Sequence, residues 1–567
     1  MGWGKAPVAS SPDFLRIRAL PLRGAYPDDL TGLMTRLLKS PEGSQTLLDV
    51  QAKALYDLGM SGGLFAPIRV GGGKTLCSFL APRVLQSRSP LLILPAKLIE
   101  KTKRELLRYA RDWDVAKHLR IMSYETLGRV SGSAYLDLNP PDLIIADEGH
   151  RLKNSKAAVT RRVARYLRAH PATIVVVMSG TIMKRSIKEF AHLLEWSHKA
   201  RSVLPHYAHE LTEWAEALDE DNNAFTKREP GVLLDLMPGR RPEGGDENAV
   251  ARKVFFARCS ATSGIVISDA KDEYQGSLSI VGTEYACSPA TEDNFRTLRE
   301  TMCKPNGWAL TEAMQAWAVA RQIALGFHYE FFPEPPQEWL DARKAWAKLC
   351  REILAEPAYE HAGIDSELQV RMAVARGDVP DPYGCWDSWH RIEPTFDAKT
   401  RCVWHDHTAI GLAKTWLAEH PQGIAWVEHG AFGDRLAKES GCSYFRQLGL
   451  DAKGQFIEDA DGPIIASVAA NSEGRNLQDK WCDNLLTACP ADAEKLEQVI
   501  GRTHRRGQKE DTVNVDVMIG CREHLEAIPR ALASASVKKD LLGFELKISL
   551  ADIEWPENRL RSGQRWL

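Results

Sequence analysis

Residues 141–154 read PDLIIADEGHRLKN. Positions 143–146 form a short, uninterrupted apolar run, the pattern of a parallel strand buried on both faces. The run stops abruptly at Asp147, Glu148, Gly149 and His150. Two carboxylates at the mouth of a buried strand need a reason, and the tip of such a strand is where open α/β sheets hold ligands. There Asp147 can hold Mg²⁺ through water while Glu148 orients and deprotonates an attacking water. A strand running into an acidic turn explains the same four residues, so the rest of the chain decides.

Upstream, LLDVQAKALYDL (47–58) spaces its apolar residues as an amphipathic helix and carries Gln51. GLFAPIRV (63–70) then runs into GGGKTLCSFLAPRVL (71–85), an apolar stretch, a glycine loop and a helix. Gly71, Gly72 and Gly73 let backbone N–H groups close on phosphate oxygens, and the following helix N-terminus favours negative charge. Lys74 reaches the outer phosphates and Thr75 can ligate Mg²⁺. Full Walker spacing asks for glycine at position 68, where the chain has Ile68, so an ordinary glycine turn stays open as an alternative.

Strand-like runs recur at 90–95 (PLLILP), 143–146 and 173–178 (TIVVVM), separated by helical patterns such as 97–110. This alternation implies right-handed βαβ units and a parallel sheet. The last run ends in Ser179, Gly180 and Thr181, whose hydroxyls suit a hydrogen-bonding relay beside Asp147 and Glu148. Over 186–395 strand signals thin out, helical segments take over, and nine of the sixteen tryptophans fall between Trp308 and Trp426. Core packing is the favoured account of those rings; stacking on bases is the other.

Strand–helix alternation resumes at GIAWVEHGAF (423–432), GPIIASV (462–468), DNLLTAC (483–489) and TVNVDVMI (512–519), which a second α/β domain explains most simply. Its loops carry ASVAANSEGRNLQ (466–478) and EQVIGRTHRRGQ (497–508). In the latter, Arg502, Arg505 and Arg506 cluster after a helical pattern. A planar guanidinium suits phosphate oxygens, and across a cleft from Lys74 it would stabilise charge on a transferred phosphoryl group. A basic helix end is the alternative.

The 567 residues, 44% hydrophobic and 26% charged, allow two to four domains and exclude a mostly disordered chain. Eleven cysteines without a CxxC pair read as reduced thiols of a cytosolic protein, not a disulfide framework or a zinc ribbon. Cys402, His405 and His407 stand close together without a second ligand pair, which disfavours a metal there. Neither a secretion signal nor a bilayer-spanning run is visible, so no membrane partner is expected. A net charge of −2 leaves any nucleic-acid contact to local patches. The basic stretch 101–120, the cluster Arg161, Arg162, Arg165 and Arg168, and the pair Arg185 and Lys188 are candidates, each read singly as a solvated helix face.

In chain order the motifs are Gln51, GGGKT (71–75), DEGH (147–150), SGT (179–181), SEGRNLQ (472–478) and QVIGRTHRRGQ (498–508). That series resembles the helicase motifs of superfamily two, and most closely those of the Swi/Snf-type double-stranded DNA translocases. In that family DEAH is followed by RLKN, as His150 is by Arg151, Leu152, Lys153 and Asn154. Its QxxGRxHRxGQ is matched by Gln498, Gly501, Arg502, His504, Arg505, Gly507 and Gln508. The likeness covers roughly 40–185 and 400–525.

The resemblance implies an α/β fold of two RecA-like parallel-sheet lobes with a helical insertion between them. The expected boundaries are a preamble at 1–40, lobe 1 at 41–185, a helix- and Trp-rich insertion at 186–395, lobe 2 with arginine fingers at 396–540, and a tail at 541–567. It implies an ATP hydrolase that uses Mg²⁺ and translocates on or remodels double-stranded DNA; with no appended nuclease, bromo-type or zinc module visible, a compact bacterial or phage form, monomeric and cytoplasmic, is expected. A strand-separating DNA or RNA helicase, and an ATP-gated DNA-binding subunit of a restriction, defence or replication complex, are the rival expectations.

Carried over by position, the likeness has Gln51 reading adenine, Gly71, Gly72, Gly73 and Gly474 at the nucleotide, and Lys74 and Thr75 on phosphates and Mg²⁺. Asp147 and Glu148 serve the metal and the attacking water, and Arg502 and Arg505 are the fingers. His150, Ser179, Thr181 and Gln498 couple hydrolysis to DNA. Pro95, Lys97, Ser123, Tyr124, Ser467 and Asn476 contact DNA. The chain departs from the family pattern at Gly149, where alanine is usual, at Asn471 and Ser472, where a glycine pair is usual, and at Thr102, where tryptophan is frequent.

Overall fold

A computed structural model describes residues 6–556 apart from 70–71, 130–131, 133, 181–185, 220–226, 238–245, 269–275, 309, 311–312, 357, 360–363, 491 and 544–545. Gly71, Thr181 and Arg185 therefore lie outside the described residues. Contacts divide the chain into two units. One comprises Met1–Asp272, Pro336–Phe396 and Ser536–Phe544; the other comprises Glu273–Pro335, Asp397–Ala535 and Glu545–Leu567.

Unit one is built on five parallel strands: β1 (Leu64–Ala66), β2 (Pro90–Leu94), β3 (Arg120–Ser123), β4 (Leu143–Asp147) and β5 (Ile174–Met178). They lie in the order β1-β5-β4-β2-β3. β4 is central, with Ile144 opposite Leu91 of β2 on one side and Val175 of β5 on the other. Every residue of β2 and β4 is buried, as continuous apolar runs require in a sheet covered on both faces. On one face Leu92, Ile145 and Val176 pack with Leu55, Leu58, Phe79 and Leu80 from helices Asp49–Ser61 and Lys74–Val84. Each such side chain contributes about 1.5–3 kcal/mol by leaving water.

Helices Gln337–Ala355, Glu367–Arg376 and Cys385–Ile392 add to this unit around a core of their own containing Trp339, Trp346 and Trp389. Trp339 meets Trp389 edge-on at 5.2 Å, and Trp346 donates to Glu367 Oε1 at 3.1 Å. These buried rings are packing groups, not stacking platforms. The helices are tied down at the cluster expected to be a solvated basic face. Arg162 is 2% exposed and forks onto Asp365 at 2.9 and 3.0 Å. Arg161 is also buried, and donates to the carbonyl of Leu354. An amphipathic period marks which helical side chains share a face; it does not say what will cover the basic one.

Unit two carries seven parallel strands: β6 (Ser277–Glu284), β9 (Gly423–Val427), β10 (Tyr444–Phe445), β11 (Ile464–Ser467), β12 (Asp483–Leu486), β13 (Thr512–Ile519) and β14 (Asp552–Glu554). Their order is β10-β11-β9-β12-β13-β6-β14. A separate antiparallel pair, β7 (Phe327–Phe331) and β8 (Thr400–Trp404), joins segments from either side of the unit-one stretch Pro336–Phe396. β6 arises where strand signals had thinned out. SLSIVGTE buries Leu278 and Ile280 and pairs with β13 from Ser277 opposite Thr512 to Glu284 opposite Ile519. Both units are thus α/β on parallel sheets, as two RecA-like lobes are, while the stretch expected as one insertion is divided, 336–396 belonging to unit one and 273–335, with β6, to unit two. All eleven cysteines are free thiols. Among the described residues no helix is long and apolar enough to cross a membrane.

Candidate functional site

In unit one the glycine loop delivers the chain into helix Lys74–Val84 through Gly73, which sits at φ 74° and ψ 30°. A Cβ there would fall 2.0 Å from Gln51 Nε2, so both the left-handed backbone and the space demand glycine. Gln51 uses that closeness: its Nε2 donates to the Gly73 carbonyl at 3.1 Å, and its Oε1 accepts from Leu48 N at 2.8 Å. Lys74 is buried, and its ammonium donates to the carbonyls of Ile68 and Arg69 at 3.1 and 3.2 Å. The loop thus wraps its own lysine, and two of the three ammonium donors are taken. Thr75, half-buried, stands in the first turn of the helix.

At the tip of β4, Asp147 is buried and accepts the Glu148 N–H at 3.1 Å, while Tyr124 donates its hydroxyl to the Asp147 carbonyl at 2.8 Å. Burial, with the charge of Glu148 beside it, raises the Asp147 carboxyl to about 7 against the opposing pull of the Lys74 cation. Glu148 takes a left-handed backbone, φ 54° and ψ 48°, which costs a non-glycine residue about 1–2 kcal/mol. Such strain is typical of functional positions. His150 Nδ1 lies 2.9 Å from Ser179 Oγ and 3.4 Å from Glu148 Oε2. Ser179 in turn donates its N–H to Ala66 at the end of β1, at 3.3 Å. One imidazole therefore links the tips of β4 and β5.

Gly149, the departure from DEAH, has a local cause. A Cβ at this position would come within 2.6 Å of Val177 Cγ1. A branched residue on the neighbouring strand and alanine at 149 exclude one another unless something shifts.

Pro95, Lys97, Ser123 and Tyr124 sit at the same carboxyl edge of the sheet, after β2 and β3. Pro95 is buried and Lys97 half-buried. Ser123 is buried and accepts the Thr126 N–H at 2.9 Å, and Glu125 accepts Ala96 N at 2.9 Å, which clips the two strand ends together. Tyr124, 4% exposed, acts on the strand tips from inside the lobe.

Unit two gathers the remaining candidates. After helix Ala493–Ile500, which carries buried Gln498, Arg502 donates from Nε to the Gln498 carbonyl at 2.9 Å and from Nη1 to the Arg475 carbonyl at 3.0 Å. Arg505 Nη1 reaches the same carbonyl at 3.3 Å and Asn476 Oδ1 at 2.9 Å. Leu477 N returns a hydrogen bond to Arg502 O at 3.2 Å. Gly474 turns this loop at φ 69°, and Ser467 closes β11. Where the family has a glycine pair, Asn471 is fully buried and pins Phe445 O at 3.0 Å. Within the motif stretch, the Arg475 carbonyl gathers both arginines while its side chain pairs with Glu458 at 3.1 Å, a structural part the motif alone does not reveal. A backbone acceptor leaves no mark in a side-chain pattern.

The unit-one donor set suits a phosphate ligand with a hard divalent cation: a glycine loop at a helix N-terminus, a buried ammonium, a hydroxyl in the first turn, and a carboxyl that burial penalises for being ionised. A bound cation would reverse that penalty, which is what a metal-holding carboxylate needs. Among the described residues no three His, Cys, Asp or Glu side chains converge as an all-protein metal site.

No family model matches the chain. Over 202 residues it is 25% identical to the DNA repair and recombination protein RAD54 of Oryza sativa subsp. japonica, a match covering 29% of this chain and 20% of that relative.

Proposed function

We propose that the chain is a nucleic-acid motor that hydrolyses ATP to translocate on or remodel double-stranded DNA. The observation that carries this reading is the convergence in unit one of the lysine-bearing glycine loop, the Asp147–Glu148 strand tip and the His150–Ser179 link. The partial likeness to a DNA repair and recombination protein supports the nucleic-acid side.

On this reading Gln51 and the glycine loop hold the nucleotide, and Lys74 neutralises its outer phosphates. Thr75 and Asp147 would hold Mg²⁺, which when bound supplies positive charge to the phosphates. Glu148, at its left-handed backbone position, takes the proton of the attacking water. His150 reports the state of Glu148 to Ser179 and so to the segment that follows β5. Arg502 and Arg505 of unit two are the residues to which this reading gives the finger role. Grip on DNA rests on backbone phosphates, so it is independent of sequence and weakens with salt.

The test is steady-state ATP turnover of the full chain against duplex, single-stranded, forked and RNA ligands, with strand displacement measured on the forked one. Strongest stimulation by duplex without strand displacement is expected. Displacement would move the reading to a helicase, and turnover indifferent to every ligand would end the motor interpretation.

A further inference from the structure

We infer that unit one carries a second, basic binding site for a phosphorylated nucleoside, on a cavity that shares no residue with the glycine-loop site. The cavity has a volume of about 820 Å³ and lies among helix Ala158–Ala169, helix Lys188–His198 and the end of helix Gln337–Ala355. That size lies in the range of small-molecule sites.

Its chemistry is unequal. Lys156, Arg161, Arg168 and Lys199 line it against a single carboxylate, Glu195, which stands 3.6 Å from His206. Arg161 is the built element. It is 5% exposed, its Nη2 donates to the Leu354 carbonyl, and its Nη1 is buried with no hydrogen-bond partner among the described residues. That atom is sealed beneath the cavity wall, so the buried guanidinium favours an anion in the cavity through its charge and not through contact. The accessible donors are Lys156 and Arg168 at the rim, both exposed, where a guanidinium fork matches phosphate oxygens.

The apolar part of the lining selects a nucleoside over bare phosphate. Trp196, half-buried and held edge-on by His192 at 5.1 Å, offers an indole against which a base can lie, with Leu167 and Leu354 beside it. The site also touches the motif turn. His192 Nε2 lies 2.8 Å from the carbonyl of Leu152, the last residue of the turn Gly149–Leu152 that begins directly after Glu148. Occupancy next to His192 is thereby in contact with the segment that carries His150.

The phosphorylated nucleoside can be free or can be the end of a strand, and the experiment separates the two. Binding of AMP, and of 5′-phosphorylated and 5′-hydroxyl pentathymidylate, is measured by calorimetry and tryptophan fluorescence on the full chain. Wild type is compared with Lys74→Ala, with the double variant Lys156→Glu/Arg168→Glu, and with Trp196→Phe. AMP binding should persist in Lys74→Ala and weaken about tenfold or more in the double variant. In Trp196→Phe the ligand-induced quench should disappear. AMP binding alone assigns a free nucleotide; preference for the 5′-phosphorylated strand over its 5′-hydroxyl form assigns a strand end; either supports the site. The inference is overturned by no binding in wild type, by binding that Lys74→Ala abolishes and the double variant leaves unchanged, or by a quench that survives in Trp196→Phe. The fluorescence readout keeps the test decisive if the double charge reversal fails to fold.

Discussion

Asp365 and Asp147 are both buried carboxylates of unit one with a cation nearby, and their surroundings differ in kind. Asp365 receives two guanidinium N–H groups of Arg162, at 2.9 and 3.0 Å, and a third from Arg165 at 3.4 Å. Arg162 spends another donor on the Leu127 carbonyl at 2.7 Å. Asp147 receives the N–H of Glu148, and the nearby ammonium of Lys74 is already committed to two backbone carbonyls. The first pair is closed: its charges are satisfied within the chain, and it anchors helices to a sheet. The second is open, because the Lys74 charge and the Glu148 N–H offset only part of the penalty that burial and the Glu148 charge impose on the carboxylate. A closed pair serves folding, and an open one is a site waiting for charge from elsewhere.

Arg502 tests where that distinction ends, since it too is bonded inside the chain. If it acts on a phosphoryl group as proposed, Arg502→Ala lowers ATP turnover about 10³-fold or more while ATP affinity changes little. If it only clips its loop to Gln498 and Arg475, the loss appears in melting temperature and not in turnover. Glu148→Gln breaks the open side alone. Turnover should fall about 10²–10⁴-fold with nucleotide binding and melting temperature kept, and a variant that turns over normally refutes Glu148 as the base.

Asp365→Ala breaks the closed side. It strands a buried guanidinium and should cost about 3–5 kcal/mol, read by urea titration. A loss below about 1 kcal/mol would mean that Arg162 finds other acceptors.

Asp147→Asn should move stability the other way. Its carboxyl titrates at about 7 in the folded chain against an ordinary 3.8, so between those values the folded state holds the extra proton and stability declines as pH rises. Asparagine removes that decline. The variant should be more stable at pH 8, by about 1 kcal/mol or more, with the gain shrinking as pH falls toward 4. Melting curves that track wild type at every pH would put Asp147 in a compensated environment like that of Asp365.

Much of this is legible in the amino-acid sequence. The buried strands β2, β4 and β5, the glycine loop and the carboxylates after β4 are local patterns, set by residues that are neighbours in the chain: apolar runs too continuous for a half-exposed strand, then abrupt polarity. β6 was not legible, because SLSIVGTE has only two residues driven inside, Leu278 and Ile280, and becomes a strand through its partner β13. Burial of Arg161 and Arg162 was likewise hidden. A basic helix face reads as solvated until its covering is known, and Asp365 lies 203 positions from Arg162. The Arg475 carbonyl and the clash that makes residue 149 glycine are equally products of close approach.

The sequence by itself determined the chemistry available and the strand ends that present it, since both follow from short-range residue order. Only the tertiary structure decided which charges are closed and which stay open, because compensation of a buried charge depends on groups that the chain brings together from far apart.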